Sequence, residues 1–304
     1  MNYHELLLES AANTGTWSCL GLDPVASSLP INGTTQGAAV RDFVVSVLER
    51  MRRRSVSPAA FKPNIGFYHA IDRPHQGDFS GSQALATIIE AIRTEFPGVP
   101  VILDAKRGDI STSSSNYAIE AFDCWNADAV TVQPYMGADS LTAFLAYPDR
   151  GVYTLVRTSN PSAATLQAQQ LDDRRSVSEV IADSIGEHAK QFPGLGAVIG
   201  ATAPAELDRL AKRMGPVPVL IPGVGSQGGN ASQVRAALTA AKFPLALARV
   251  NSSRGILQPW LATGESAPPA TSDWADAAVD RLIRLNLELG YPDAHSAPFN
   301  PENA

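Results

Sequence analysis

Short hydrophobic runs alternate with longer helix-like segments along nearly the whole chain. Each of the eight runs is four to six residues long, and many of their residues are β-branched, which is typical of buried strands. They are Trp17–Leu22, Ala59–Lys62, Val101–Asp104, Ala129–Gln133, Val152–Arg157, Ala197–Ala201, Val217–Pro222 and Leu245–Val250.

The segments between these runs have the hydrophobic spacing of helices that cover a sheet. They include Gly37–Arg53, Ser82–Phe96, Asn116–Trp125, Val177–Gln191, Ala205–Met214, Ala231–Ala241 and a last helix, Asp273–Leu289, that Gly290 would cap. Repeated strand–helix units imply a parallel sheet, and eight of them favour a closed barrel. We therefore predict an α/β fold, a (β/α)8 TIM barrel that forms one domain over residues 1–304. A loop at Asn160–Gln170 is predicted to be mobile, and a loose tail is expected from about residue 292.

Composition narrows the class of protein. The chain has 304 residues, which suits a single barrel, and its net charge of −6 argues against a surface that binds nucleic acid by neutralising phosphates. Two cysteines are too few for a disulfide framework and fit a reducing cytoplasm. The sequence shows no signal peptide, no apolar stretch of the ~20 residues that a membrane helix needs, and no histidine or cysteine cluster at metal-ligand spacing. We therefore expect a cytoplasmic protein without a metal, a membrane partner or a nucleic-acid partner.

Polar residues stand at or just after the ends of several predicted strands. They are Asp23, Lys62, Asp104, Lys106, Asp109, Ser159, Gln227 and Arg254. Active sites of such barrels lie at the carboxyl ends of the strands, so one barrel would collect these residues around one mouth. The alternative is that strand ends are polar merely because they approach solvent.

Asp104, Lys106 and Asp109 follow the third strand within a few residues. Residues two apart on a strand point to the same side, so Asp104 and Lys106 are expected to face the barrel interior together. Asp109 lies beyond a turn at Gly108 and is free to point elsewhere, including toward a neighbouring subunit. An adjacent carboxylate would keep Lys106 protonated, which suits an acid and not a Schiff-base nucleophile. The alternative is an ordinary surface ion-pair cluster.

A glycine-rich segment, residues 221–229, follows the seventh strand and matches the spacing of a dinucleotide-binding loop. That function requires an acidic residue about 20 positions later for the ribose. Residues 230–264 contain no Asp or Glu, so the dinucleotide interpretation fails. The loops after strands seven and eight commonly bind phosphate in these barrels, and Arg254 lies in the second. The alternative is a glycine-rich loop beside a solvated arginine.

These residues resemble the orotidine 5′-phosphate decarboxylase family, in particular its longer bacterial (type 2) subgroup. The similarity is carried by residues 104–110 (Asp-Ala-Lys-Arg-Gly-Asp-Ile), and by residues 21–24, 61–64, 133–137, 156–161, 222–229 and 251–254, in the family's order.

The resemblance implies decarboxylation of orotidine 5′-monophosphate (OMP) to uridine 5′-monophosphate (UMP), the last step of de novo UMP synthesis, without a cofactor. It implies a homodimer with shared active sites, in which Lys62, Asp104 and Lys106 form a charge network that Asp109 completes from the partner. It assigns substrate binding to seven positions: Asp23 to the ribose, Ser159 to the pyrimidine, Gln227 and Arg254 to the phosphate, with Ile110, Ser113 and Pro222. The family usually has Gly, a small residue and Thr where this chain has Ser111, Thr112 and Ser113.

The residues and the resemblance agree on the chemistry. Loss of carbon dioxide leaves a carbanion on carbon 6 of the pyrimidine, and the ammonium of Lys106 would stabilise that charge and then protonate the carbon. Two other functions stay open from sequence. One is a metal-assisted sugar-phosphate decarboxylase or aldolase on the same kind of barrel, and the other is a non-catalytic barrel that senses pyrimidine nucleotides.

Overall fold

The computed structural model describes residues 1–29, 35–225, 228–265 and 274–290. Within these ranges eight strands form one parallel sheet in the order β2-β1-β8-β7-β6-β5-β4-β3. The strands are β1 Ser18–Leu22, β2 Phe61–Pro63, β3 Ile102–Arg107, β4 Ala129–Val132, β5 Gly151–Arg157, β6 Leu195–Ile199, β7 Val219–Pro222 and β8 Ala248–Ser252. Isolated parallel bridges join the two ends of this order, Phe61 to Val101 and Asn64 to Asp104, so the sheet closes into a barrel.

Helices surround the barrel and follow most strands. They are α1 Tyr3–Thr14, α2 Gln36–Arg53, α3 Ile65–His69, α4 Ser80–Glu95, α5 Ser111–Ile119, α6 Thr142–Leu145, α7 Ala164–Gln167, α8 Val177–His188, α9 Pro204–Met214, α10 Ala231–Ala240, α11 Arg254–Leu257 and α12 Trp274–Leu289. None of the described helices is long and apolar enough to cross a membrane.

Helix α2 shows why these segments fold as they do. The hydroxyl of Thr35 accepts a hydrogen bond from the backbone N–H of Ala38 and caps the first turn. Buried residues then recur every three or four positions, at Val40, Phe43, Val47 and Met51. This spacing places one apolar stripe toward the hydrophobic core.

Helix α1, which the hydrophobic pattern did not reveal, packs at the amino-terminal end of the barrel. Asn2 and Glu5 form a capping box at its start. The buried guanidinium of Arg249 in β8 donates to the carbonyl of Leu7 in α1 (2.6 Å) and to that of Ala59 before β2 (3.0 Å). These bonds tie α1 to two strands at the end opposite to the strand carboxyl termini.

All eight predicted strands are present, with differences at their ends. The largest concerns the last one, where Leu245–Leu247 form a 3-10 turn and the strand runs from Ala248 to Ser252. The ladder with β7 begins at Val219 paired with Ala248, so the apolar residues before Ala248 have no partner strand.

Several helix boundaries in the structure also differ from the predicted ones. The helix predicted at Asn116–Trp125 begins earlier, at Ser111, and continues as a π-helical turn over Glu120–Cys124. The segment predicted as a loop at Asn160–Gln170 contains a 3-10 turn and the short helix α7. Gly290 ends α12 with φ 64°, in the left-handed region expected of a C-cap. The predicted tail from about residue 292 lies outside the described residues.

Candidate active site

A cavity of about 830 Å³ opens at the carboxyl ends of the strands. Seven of the predicted site residues line it, and they come from six different strands or the loops that follow them. They are Asp23, Lys62, Asp104, Lys106, Ser159, Pro222 and Arg254. Lys106 and Arg254 therefore share one cavity, as a single bound nucleotide would require.

At the centre of the cavity, one carboxylate lies between two ammonium groups. Nζ of Lys62 lies 2.8 Å from Oδ2 of Asp104, and Nζ of Lys106 lies 2.5 Å from Oδ1 of the same residue. Lys62 also lies 3.8 Å from Asp23, whose other oxygen accepts a hydrogen bond from the backbone N–H of Asn64. The side chain of Lys62 is 3% exposed and that of Lys106 is 48% exposed, so Lys106 is the one that is accessible from the cavity.

The charges of this cluster are mutually stabilised. Burial works against a charged Lys62, but Asp104 and Asp23 outweigh it and raise the pKa of Lys62 above its ordinary value. Burial also works against a charged Asp104, but Lys62 and Lys106 outweigh it and hold the pKa of Asp104 well below its usual range. At neutral pH the pair is therefore an ammonium and a carboxylate.

The backbone that carries Asp104 and Lys106 is not a regular strand. Leu103 pairs with Val130 of β4, and the next pairing is Arg107 with Val132. Three residues of β3 therefore oppose one residue of β4, which is a β-bulge. Lys106 has φ 47°, a left-handed conformation that non-glycine residues seldom adopt. The side chains of Asp104 and Lys106 both face the cavity, as predicted. The reason differs from the prediction, because the bulge orients them and the regular alternation of a strand does not.

One side of the cavity is formed by the segment after β5. Thr158 and Ser159 line it, together with Asn160. The backbone N–H of Thr158 donates to the side chain of Gln167 (2.9 Å), and the amide of Gln167 donates back to the hydroxyl of Thr158 (2.9 Å). Helix α7, which contains Gln167, is thereby tied to the strand end next to Ser159.

Another side is formed by the segments after β7 and β8. Gly223 and Gly225 have φ of 100° and 86°, so glycine is required for the turn that follows β7. Arg254 is exposed and begins the short helix α11. Gln227, the other predicted phosphate ligand, lies outside the described residues. These two loops are the ones in which TIM barrels commonly bind phosphate.

Three predicted site residues do not line the cavity of the single chain. They are Asp109, Ile110 and Ser113, which lie after β3. The carboxylate of Asp109 accepts a hydrogen bond from the backbone N–H of Ile110 (2.8 Å). Ile110 is 45% exposed and Ser113 is also exposed. Within one chain, the structure therefore does not bring these three residues to the cavity.

Sequence reasoning also missed residues that line the cavity. The apolar wall of the cavity contains Phe67, Leu155, Val198 and Leu220. Thr131 lines it from β4 and makes hydrogen bonds to the charge cluster. Each lies in or beside an apolar segment, so only the alternation of the strands hinted that some would point inward. Within the described residues, no group of three or more His, Cys, Asp or Glu is arranged to hold a metal ion.

Comparison with known proteins gives consistent matches. A family model described as "Orotidine 5'-phosphate decarboxylase / HUMPS family" matches residues 19–259. The orotidine 5′-phosphate decarboxylase of Cupriavidus necator is 39% identical over 258 residues, which cover 84% of this chain and 89% of that protein. The relative from Azoarcus sp. with the same description is 40% identical over 240 residues, or 79% of this chain and 83% of that protein.

Solved structures of proteins with similar descriptions also resemble this chain. The OMP decarboxylase of Leishmania donovani superposes with a TM-score of 0.73 at 30% identity, covering 95% of this chain and 99% of that one. The UMP synthase of the same organism superposes with a TM-score of 0.74 at 31% identity, and the match covers 95% of this chain but 57% of that longer one.

Proposed function

The chain belongs to the orotidine 5′-phosphate decarboxylase family, and from that membership we propose how its cavity converts OMP to UMP and carbon dioxide. The observation that carries the proposal is the pair of ammonium groups held on Asp104, in the same cavity as Arg254. The ammonium pair supplies a fixed positive charge, and Arg254 supplies a ligand for a phosphate.

Lys106 is the proposed acid. When the bond between carbon 6 and the carboxylate breaks, its electron pair stays on carbon 6 and carbon dioxide leaves. A cation already fixed beside that carbon stabilises the negative charge without reorganising during the reaction. Lys106 then transfers a proton to carbon 6, which gives UMP and a neutral amine. Because its side chain is 48% exposed, the amine regains a proton from water after the product leaves.

Asp104 and Lys62 hold Lys106 in place. Asp104 accepts from both lysines on its two separate oxygens, which restricts where the ammonium of Lys106 can lie. Lys62 offsets the second negative charge that a substrate carboxylate brings close to Asp104. Repulsion between the two carboxylates would raise the energy of the bound substrate.

The rest of the cavity is proposed to bind the nucleotide. Asp23 contacts the ribose hydroxyls, Ser159 the pyrimidine, and Arg254 the phosphate, with Pro222 beside it. Gln227 is expected to share the phosphate. Contacts remote from the reacting carbon fix the nucleotide and offset the cost of ordering the loops over the ring.

We propose that the active enzyme is a homodimer. Asp109, Ile110 and Ser113 do not line their own chain's cavity, and Ile110 and Tyr135 leave apolar surface exposed, at 45% and 83%. In a symmetric dimer each chain would present these three residues to its partner's cavity.

The single-domain organisation and the cytoplasmic location expected from sequence stay predictions. Cys19 and Cys124 are free thiols.

The test is the loss of OMP absorbance with purified protein, with and without a strong chelator. Wild-type protein is expected to turn over OMP equally in both conditions, which would exclude the metal-assisted alternative. Lys106→Ala is expected to fold, to bind UMP and to lose turnover, whereas the surface variant Lys190→Ala is expected to match wild type. A wild-type protein that binds UMP without turning over OMP would instead support the nucleotide-sensing alternative.

A further inference from the structure

The β-bulge that presents the charge cluster is opposed by a single side chain. Between the pairs Leu103–Val130 and Arg107–Val132, the only β4 residue is Thr131. A regular parallel ladder would supply backbone acceptors for the N–H groups of β3, and the bulge removes them here. Buried backbone N–H groups need another acceptor.

The hydroxyl of Thr131 takes over that function. Its Oγ1 accepts hydrogen bonds from the backbone N–H groups of Ala105 and Lys106, both at 3.0 Å. It donates to Oδ1 of Asp104 at 2.9 Å, the same oxygen that accepts from Nζ of Lys106. One hydroxyl has one donor and two acceptor sites, so all three are used.

This saturation defines what Thr131 can do. It is 1% exposed, and with every hydrogen-bonding site occupied it has none left for a substrate. Instead, its hydroxyl holds two groups in place. One is the backbone of Lys106, which is left-handed at φ 47°, and the other is the carboxylate of Asp104, which holds the ammonium of Lys106. Loss of the hydroxyl would leave two backbone donors without their acceptor and would allow the bulge to relax.

We propose that Thr131 is a positioning residue for decarboxylation, whose hydroxyl clamps the bulge so that the ammonium of Lys106 lies at the reacting carbon. This inference rests on the proposed function and adds a residue to it. A misplacement of about 1 Å in a fixed catalytic group commonly lowers the rate by ~10²-fold. Binding of the phosphate and ribose depends on other segments and should change little.

The experiment compares Thr131→Val, Thr131→Cys and Thr131→Ser. Valine keeps the shape without hydrogen bonds, cysteine offers weak ones, and serine keeps the hydroxyl. We expect kcat per UMP-binding site to fall ~10²-fold in Thr131→Val, to lie in between for Thr131→Cys, and to stay within about threefold of wild type in Thr131→Ser. KM for OMP and Kd for UMP should change by less than about threefold in all three.

Counting active sites by UMP binding removes any effect of a smaller folded fraction. If Thr131→Val does not fold, the order of Thr131→Ser over Thr131→Cys still decides. Wild-type kcat in Thr131→Val or in Thr131→Cys would overturn the proposal, and so would a loss that Thr131→Ser shares. Results that overturn the role of Thr131 would still show a wild-type protein that decarboxylates OMP. Failure of the proposed function would instead appear as a wild-type protein that does not turn over OMP.

Discussion

The ammonium of Lys62 and the carboxylate of Asp104 lie 2.8 Å apart across the one junction of the barrel that isolated bridges close. Lys62 belongs to β2 and Asp104 to β3, the two ends of the strand order. Both side chains are nearly buried, at 3% and 10% exposure. The pair to which we assign the positioning of Lys106 therefore also connects the two strands at the mouth of the barrel, and we expect it to serve both catalysis and stability.

Lys62→Met tests this double role through the pH dependence of stability. The pKa of Asp104 is held below its usual range, so its charged form stabilises the fold above about pH 4, and this contribution is lost as the pH falls. The pKa of Lys62 is raised, so its contribution is lost only as the pH rises above about 10. The wild-type advantage over Lys62→Met should thus be about 3–5 kcal/mol near pH 7, should persist down to about pH 4, and should shrink as the pH falls further.

Urea denaturation at a series of pH values measures that difference. The control is Lys190→Met, which removes an exposed ion pair with Glu187 and should leave stability nearly unchanged at every pH. An advantage that stays constant as the pH falls from about 7 to about 2 would show that the pair does not contribute through charge.

Ser111→Gly addresses the departure from the family's usual glycine. Ser111 has φ 49°, a conformation that costs a residue with a side chain about 1–2 kcal/mol. Glycine loses about 0.5–1 kcal/mol more backbone entropy on folding, so the net gain in stability should be about 0.5–1 kcal/mol. Chemical denaturation checks it, and Ser113→Gly, inside the regular part of α5, should destabilise by about 0.5–1 kcal/mol. Equal destabilisation by both substitutions would mean that the backbone at Ser111 carries no strain.

Most of the fold followed from local sequence because the strands and all of the longer helices except α1 were indicated by their own hydrophobic periods. The polar strand ends then had to meet at one mouth, because all strands of a TIM barrel run in the same direction. Lys62, Asp104 and Arg254, which are distant in sequence, were predicted together for this reason. Gly290 was predicted as a helix end because the left-handed C-cap conformation favours glycine.

Long-range and irregular features were not predictable in the same way. Thr131 stands in the apolar run Ala129–Val132, where a β-branched residue is ordinary, and only the bulge in the neighbouring strand gives its hydroxyl a role. Arg249 is buried against backbone carbonyls from other segments, which no local pattern indicates. Asp109 was a candidate from its place after the third strand, but its role in the partner's site came only from the resemblance, because its proposed target is in another chain.

Arg254→Ala should reduce kcat/KM for OMP on the order of 10³-fold, since each power of ten corresponds to ~1.4 kcal/mol of lost transition-state stabilisation. The guanidinium is proposed to bind the phosphate, so turnover of the nucleoside orotidine, which has none, should change little. Steady-state kinetics with both substrates measures the difference. Arg281→Ala is the matched control, because that arginine lies near the same loop, 3.4 Å from the carbonyl of Gly255, without lining the cavity. Equal losses for both substrates would remove Arg254 from the phosphate site.

Mixing two inactive variants tests whether active sites are shared between subunits. In a heterodimer of Asp109→Asn and Lys106→Ala chains, one site would combine the intact Lys106 of the first chain with the intact Asp109 of the second, while the other site would lack both. Purified heterodimers should then show about half of wild-type activity by symmetry. Asp104 and Lys106 touch within one chain, so heterodimers of Asp104→Asn and Lys106→Ala contain no complete site and should stay inactive. If verified Asp109→Asn/Lys106→Ala heterodimers also stay inactive, Asp109 does not act across the interface. An Asp109→Asn homodimer with wild-type activity would instead mean that Asp109 takes no part in the reaction.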